Sequence, residues 1–503
     1  MDIASLFGEG SPISLATLLA TTALVVSATF LKIKLARRLS PSIRYAGEGS
    51  IISRLQVPVK YGKDPINFLC ETRKNLGDVF CVDLFVTQFV FILGPEGNKE
   101  VLRAAEDHLS FWEQVRWAMG PVLERAFNFE DWQTVSPKLV RTGLLKINRD
   151  SHSAAVCESV AEQFFDEWAQ KDSVPLFESI STLVLSCMFV LLLGEDFYKK
   201  YADELLPHMT RFEREVQNPI LRIVPKSCWK YTSAGAFLFK LVDRFDELIG
   251  EETRFIMEEP EKHTYRSDYF YYLVSQVGTK YLPVYGTHML TMTFAGRANV
   301  AATIPWMFLH ARRVPNALER MREELYRAPG ERKPYVEACF RETARLYTGL
   351  AILRMSTKDT TIHGHTIPNG TLVACSPAAS QRIDISERDG IYENAGKWDP
   401  DRFMKDPKAY QNWFQRAEFV HFGMGTHACP GERLARMLIF DLVLKMWMTR
   451  YDAEVVSGLQ EGERGVDGVG AEAAWTEENL GTPTVRGDDV FIRVTSMRRV
   501  PTE

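Results

Sequence analysis

The sequence predicts a mainly α-helical protein with small β-sheets, preceded by one N-terminal transmembrane helix. Three observations carry that expectation. An uncharged run near the N-terminus ends on a basic cluster, helical patterning dominates from about Asn98 to Arg345, and short stretches rich in β-branched and aromatic residues lie on either side of it. A chain of 503 residues has the length to bury a large core. Hydrophobic residues make up 46% and charged residues 25%, which excludes a disordered, collagen-like or multi-span membrane chain. Lys and Arg total 60 and Asp and Glu 65, a net charge of −5 that gives no reason to expect nucleic acid as a partner.

The first element is Ile13–Leu31, 19 residues without a charge. As a helix it would span about 28 Å, close to the ~30 Å of a bilayer's hydrocarbon core. Lys32, Lys34, Arg37 and Arg38 follow it, and Asp2 and Glu9 precede it. That charge order is the reverse of a cleaved signal peptide and predicts a retained single-pass anchor with the body in the cytoplasm. Residues 1–38 read as the anchor, 39–63 as a Pro/Gly-punctuated linker and 64–503 as the body.

Val79–Leu93 reads as two strands with a turn near Val86–Gln88. The helical stretch after it is expected to break at Pro121, Pro137, Pro175, Pro207, Pro219, Pro225 and Pro283. Thr360–Ala374 reads as strand interrupted by a Pro368-Asn369-Gly370 turn, and Val490–Val494 as a last strand. Gly462–Gly470 reads as a surface loop. Eight cysteines stand at 70, 81, 157, 187, 228, 339, 375 and 429, without a CxxC pair or a cysteine–histidine cluster. Such scattering suits a reducing compartment.

One cysteine stands in a special setting. Phe422-Gly423-Met424-Gly425-Thr426-His427-Ala428-Cys429-Pro430-Gly431 satisfies F-x-x-G-x-H-x-C-x-G just before an apparent helix, Glu432–Met448. A thiolate at a helix N-terminus meets the helix dipole and free N–H groups, which lower its pKa. Gly425 and Gly431 let backbone approach a flat cofactor closely. This loop resembles the haem-thiolate loop of the cytochrome P450 superfamily. The resemblance covers about residues 50–503 and implies the cytochrome P450 fold, with one haem-thiolate catalytic domain over 64–503. It implies haem b as the cofactor, with Cys429 the iron ligand, Phe422 shielding the sulfur and His427 donating to a propionate.

Further residues take roles from the same resemblance. Glu342-Thr343-Ala344-Arg345 fits the family's E-x-x-R, with both side chains on one helix face. The tetrapeptide recurs at Glu113, Glu251, Glu319, Glu324 and Glu461, where surface ion pairing is the better reading. Order in the chain selects Glu342, because Asp399-Pro400-Asp401-Arg402-Phe403 follows and is similar to the family's P-E-R-F. Glu342, Arg345 and Arg402 are thus expected to form a buried structural network. Arg354 sits where the family places a propionate-binding arginine, and Lys138 and Arg141 are further propionate candidates on a helix.

The oxygen-activating helix departs from the family pattern. Within His288–Arg312, Ala295-Gly296-Arg297-Ala298-Asn299 stands where A-G-x-[D/E]-T is usual. Ala295 and Gly296 are kept and Gly296 is expected to open a groove for dioxygen, but Asn299 replaces the alcohol and Ala298 the acid. An amide hydrogen-bonds but cannot relay a proton as a hydroxyl does. A similar Asn occurs in relatives resembling cholesterol 7α-hydroxylase and in prostacyclin synthase-like members. Pro305 is expected to kink this helix.

The resemblance implies a membrane-bound oxidoreductase of the endoplasmic reticulum, a monooxygenase using dioxygen. Electrons would come from NADPH-cytochrome P450 reductase, with cytochrome b5 as an optional second donor, because no flavin or nicotinamide fingerprint occurs in the chain. Lys and Arg near the cysteine face would dock the donor. The substrate is expected to be a lipophilic small molecule such as a terpenoid, steroid or polyketide, in secondary-metabolite biosynthesis. Phe111, Trp112, Phe127, Ala295, Leu350 and Ile352 are its candidate contacts, with the tip near Leu480–Pro483. Two alternatives stand beside this reading: a haem-thiolate isomerase or dehydratase of a peroxide, and a haem-binding protein without turnover.

Overall fold

A computed structural model describes residues 42–457 and 490–497, apart from 85–86, 130, 149, 219, 328–330, 348, 350, 389 and 406–408. The anchor, the Gly-rich loop at 462–470, the tip at 480–483, Pro219 and the pocket candidate Leu350 lie outside the described residues.

The helices that frame the site are α1 (Ile51–Lys63), α2 (Gly94–Arg103), α3 (Phe111–Asn128), α4 (Trp132–Ile147), α5 (Leu176–Leu193), α6 (Glu195–Val216), α7 (Ser233–Glu258), α8 (Leu282–Ala311), α9 (Pro334–Tyr347) and α10 (Glu432–Arg436). The 30-residue α8 is the axis, with α3, α5, α7 and α9 packed around it. Among the described residues α5 alone is long and apolar enough to cross a bilayer, yet it lies in the core. A predominantly apolar helix is what a position surrounded by other helices requires. Behind α10 the helix widens into a π-helical segment, Met437–Leu444, and returns to α over Lys445–Arg450.

Eleven strands form among the described residues: β1 (Arg44–Tyr45), β2 (Val79–Asp83), β3 (Gln88–Ile92), β4 (Leu109–Ser110), β5 (Val174–Pro175), β6 (Ile352–Ser356), β7 (Thr360–Ile362), β8 (His365–Ile367), β9 (Leu372–Cys375), β10 (Tyr451–Ser457) and β11 (Phe491–Ser496). They make a six-stranded sheet in the order β1-β2-β3-β9-β6-β4, a three-stranded sheet β10-β11-β5 and the hairpin β7-β8. The expected pair in Val79–Leu93 is β2 and β3, antiparallel from Val79↔Ile92 to Asp83↔Gln88.

Three expectations need correction. Residues 39–63 were read as a linker, but they hold β1 and α1. Ser50 caps α1 by accepting from the Ser53 amide at 3.0 Å, and Val57 and Tyr61 are buried against the first sheet. Burial of that face outweighs Pro58 inside the helix. Pro121, Pro137 and Pro207 likewise lie within α3, α4 and α6, where packing offsets the lost hydrogen bond of about 3 kcal/mol. Pro175, Pro225 and Pro283 instead sit at helix starts, which their fixed φ suits. The strand stretch at 360–374 is not one pair split at Pro368. Its hairpin turns at His363 and Gly364 (φ 51° and 77°), and the Pro368 turn then carries the chain into the larger sheet. Pro305 lies inside a continuous α8.

Candidate functional site

The ion network forms as the spacing requires. One turn apart on α9, Glu342 and Arg345 are both fully buried. Arg345 donates from Nε and Nη2 to the two oxygens of Glu342, each at 2.8 Å, a bidentate pair. Its remaining donors reach the carbonyls of Gln381 and Ala395 at 2.7 Å and of Lys397 at 3.2 Å. Glu342 Oε1 also accepts from Arg402 Nε at 3.0 Å and from the Asp399 amide at 2.9 Å. Every charge is answered, which is the condition for burying it. Gln381 extends the network: its Nε2 donates to Arg345 O at 3.2 Å, and its Oε1 accepts from the Val420 amide at 2.9 Å, two residues before Phe422.

From Val420 the chain turns through the cysteine loop. Gly423 N donates to Val420 O and Cys429 N to Phe422 O, each at 2.8 Å. Gly423 and Gly425 stand at φ 70° and 74°, and a Cβ on Gly425 would lie 2.6 Å from Leu102 O at the end of α2. Gly425 is therefore demanded by the loop itself. Gly431 has an ordinary φ, and its Cβ would meet Cys429 Sγ only at 3.7 Å. Of the eight cysteines Cys429 alone is exposed. Even so, the protein crowded round its sulfur raises the thiol pKa; amides of Gly431 and Glu432 pull it down and the Glu432 carboxylate raises it again. The expected net lowering by the helix N-terminus is not found, because desolvation of the thiolate is the larger effect. A cation at the sulfur reverses that balance.

Arg354 on β6 is 3% exposed, and among the described residues no carboxylate lies within ion-pair reach. Its guanidinium donates to Leu353 O at 2.8 Å and lies 5.5 Å from the Phe111 ring centroid. Burial pushes its pKa down. The His427 ring is stacked on Phe111 at 4.6 Å, with Trp112 edge-on to His427 at 6.4 Å. His427 is already paired: its Nε2 bonds to Glu106 Oε1. Burial raises the Glu106 pKa, but hydrogen bonds from His427, the Phe111 amide and Ser110 outweigh it and hold the carboxyl at about 2. The expected free donor at His427 is thus engaged by a carboxylate of the chain.

On α8, Ala295 and Asn299 are exposed in the middle of a helix otherwise set in the core. Spaced i, i+4, they share one face of the helix. A Cβ on Gly296 would meet the terminal methyl of Met188 on α5, so its smallness lets that side chain approach the helix. Thr303 does not replace the missing alcohol, since its hydroxyl is spent on Asn299 O at 2.7 Å.

The remaining candidates scatter. Lys138 and Arg141 are exposed on α4, whose buried face, with Leu144, is the one turned to Gly431. Phe127 lines a groove of about 560 Å³ with Arg116, Lys226 and Lys230, and Ile352 opens β6 opposite Cys375. Sequence reasoning missed Glu106 and Gln381, which belong to no motif, and Arg297, which reaches Ser181 on α5 and Glu213 on α6. The ion pair expected at Glu324 forms with Arg327 at 3.7 Å, but Glu324 is buried rather than on the surface and also accepts the Tyr335 and Val336 amides at the start of α9, at 2.8 and 3.0 Å.

These features suit a thiolate-bound haem: an accessible sulfur flanked by amides, and a buried arginine in want of a carboxylate. Comparison with known proteins agrees. Residues 51–463 match the family model described as Cytochrome P450. The chain is 26% identical over 395 residues to cytochrome P450 monooxygenase pyvB of Aspergillus violaceofuscus, covering 77% of this chain and 79% of that one. It is 26% identical over 401 residues to cytochrome P450 monooxygenase pynD of Aspergillus niger, covering 78% and 82%. Against lanosterol 14-alpha demethylase of Bos taurus identity is 23% over 441 residues, 80% of each chain. A solved structure, retinoic acid-bound cyanobacterial CYP120A1, shares the fold at a TM-score of 0.67 and 17% identity, covering 86% of this chain and 95% of that one. The chain belongs to the cytochrome P450 family, an enzyme of its monooxygenase class with a haem iron cofactor held by cysteine thiolate.

Proposed function

We propose that the protein is a membrane-anchored haem-thiolate monooxygenase of the endoplasmic reticulum that oxidises a lipophilic small molecule with electrons from NADPH-cytochrome P450 reductase. The observation that carries the reading is the pairing of an exposed Cys429 with a buried Arg354 that has no carboxylate among the described residues. Bound there, haem supplies the activation of dioxygen for transfer of one oxygen atom to the substrate. Cys429 is the proximal ligand, and the Gly431 and Glu432 amides stabilise its sulfur as an anion. Arg354 takes a propionate as its fork requires. The Glu342–Arg345–Arg402 network and Gln381 hold the loop in place. On α8 Asn299 offers amide N–H donors and a carbonyl acceptor but no acid, so protons would reach the site through ordered water or the substrate's own groups. Exposed Lys138 and Arg141 on α4 and Arg433 on α10 give the cysteine side a basic surface for an acidic electron donor.

The test is a reductase-coupled incubation with terpenoid, sterol and polyketide panels, read by mass spectrometry with NADPH and dioxygen consumption. Cys429→Ala and Cys429→His are expected to lose the thiolate-type ferrous–CO spectrum, and its retention would refute the ligand assignment. Asn299 favours one second reading, isomerisation of a peroxide substrate, which predicts turnover with no reductase present.

A further inference from the structure

Glu106 lies in the turn between α2 and β4, outside every motif of the sequence. Its two oxygens take three bonds. Oε2 accepts from Ser110 Oγ at 2.8 Å, Oε1 accepts from the Phe111 amide at 3.0 Å, and the same Oε1 accepts from His427. It is not needed as a helix cap, because Ser110 already caps α3 by accepting from the Glu113 amide at 3.0 Å. The carboxylate instead ties the turn and the first residue of α3, five residues on, to the cysteine loop 321 residues away. The Phe111 ring stacks on the His427 ring at 4.6 Å and lies 5.5 Å from the Arg354 guanidinium, so one carboxylate holds the backbone of a residue that touches both anion anchors. Its charge also reaches Arg354 and favours that residue's cationic form.

We propose that Glu106 is a positioning residue for the cofactor, orienting His427 and Phe111 and placing a fixed negative charge beside the propionate anchors. This rests on the haem-thiolate reading above. A carboxylate there has two separable effects. Its hydrogen bonds hold His427 and the α3 start, which slows cofactor loss. Its charge stabilises the more positive, ferric state of a nearby haem over the ferrous state, which lowers the reduction potential.

Three variants of the full chain in its holo form separate these effects: Glu106→Gln, Glu106→Ala and Glu106→Asp. The readouts are the ferrous–CO spectrum, the potential by spectroelectrochemistry, and the rate of haem transfer to an apomyoglobin scavenger. Glu106→Gln keeps an acceptor without charge and is expected to raise the potential while haem loss stays near wild type. Glu106→Ala is expected to raise the potential equally and to speed haem loss about tenfold or more, the value of one charge-assisted hydrogen bond. Glu106→Asp keeps the charge and is expected to hold the potential near wild type. An unchanged potential in Glu106→Gln, with the thiolate-type CO spectrum intact, overturns the proposal. Absence of that spectrum from the wild type would instead overturn the haem-thiolate reading. Should Glu106→Ala fail to fold, the Gln and Asp pair still decides.

Discussion

Replacing Glu342 by Ala tests the view that the site rests on a fully answered cluster of buried charges. The change removes both oxygens that meet the Arg345 fork at 2.8 Å. It also strips Arg402 Nε of its partner at 3.0 Å and the Asp399 amide of its acceptor at 2.9 Å. Arg345 keeps its three carbonyls, but its charge is left in a site with no water access. Breaking a buried pair from one side costs about 3–5 kcal/mol. Total stabilities of folded proteins are only about 5–15 kcal/mol, so Glu342→Ala should leave a marginal protein. Arg402→Ala is a useful comparison, because the Arg402 side chain is 10% exposed and makes one ionic hydrogen bond to Glu342. Its loss should cost about 1.5–3 kcal/mol. Glu342→Gln, which keeps shape and loses charge, should fall between the two. Urea unfolding of the three, followed by tryptophan fluorescence and by the Soret band, gives both stability and cofactor retention. The reasoning fails if Glu342→Ala lies within about 1 kcal/mol of wild type. It fails equally if Arg402→Ala proves the more damaging.

The glycines of the cysteine loop should separate. Gly425→Ala, at φ 74° and 2.6 Å from Leu102 O, should lower stability by about 1–3 kcal/mol, whereas Gly431→Ala should leave apoprotein melting unchanged and impair only haem uptake. Arg354→Met removes a buried, unpaired charge, so urea midpoints of the apoprotein should rise while haem transfer to a scavenger accelerates. Half-buried His288, its Nε2 held 2.8 Å from the Tyr269 hydroxyl, has its pKa pushed down by desolvation to about 4 from the ordinary 6.5. The unfolded chain therefore binds the extra proton first. Stability at neutral pH should fall as pH drops from 6.5 towards 4, by ~3 kcal/mol for this group, and His288→Asn should flatten that stretch of a pH-dependent unfolding curve.

The sequence was most readable where chemistry fixes residue type and spacing together. Glu342 and Arg345 at i, i+3 meet as a bidentate pair, and Phe422-x-x-Gly425 folds into a loop whose first glycines have positive φ. Strands β2 and β3 were legible because β-branched and aromatic residues cluster there. Helix-internal prolines were misread because local propensity carries no information about the packing that outweighs it. Glu106 and Gln381 were invisible for a related reason: each acts far outside its own local segment, Glu106 on His427 321 residues on and Gln381 on Val420 39 residues on. No local spacing marks such a partner. At Gly296, a motif residue present in sequence, the missing side chain lets Met188 approach the helix, a contact the motif does not announce.

The widened turn at Met437–Leu444 has a consequence for how the cysteine loop is indexed against the core. An α-helix advances about 100° per residue, and a π turn holds extra chain without extra rotation. Tightening that segment to α without removing a residue would swing everything beyond it by about a quarter turn relative to Cys429. Trp447, whose ring sits 4.6 Å from Phe308 of α8, would leave its slot, while Leu434 ahead of the segment would keep its own. The segment thus works as a vernier, letting one continuous rod satisfy two surfaces whose spacing no regular helix would match.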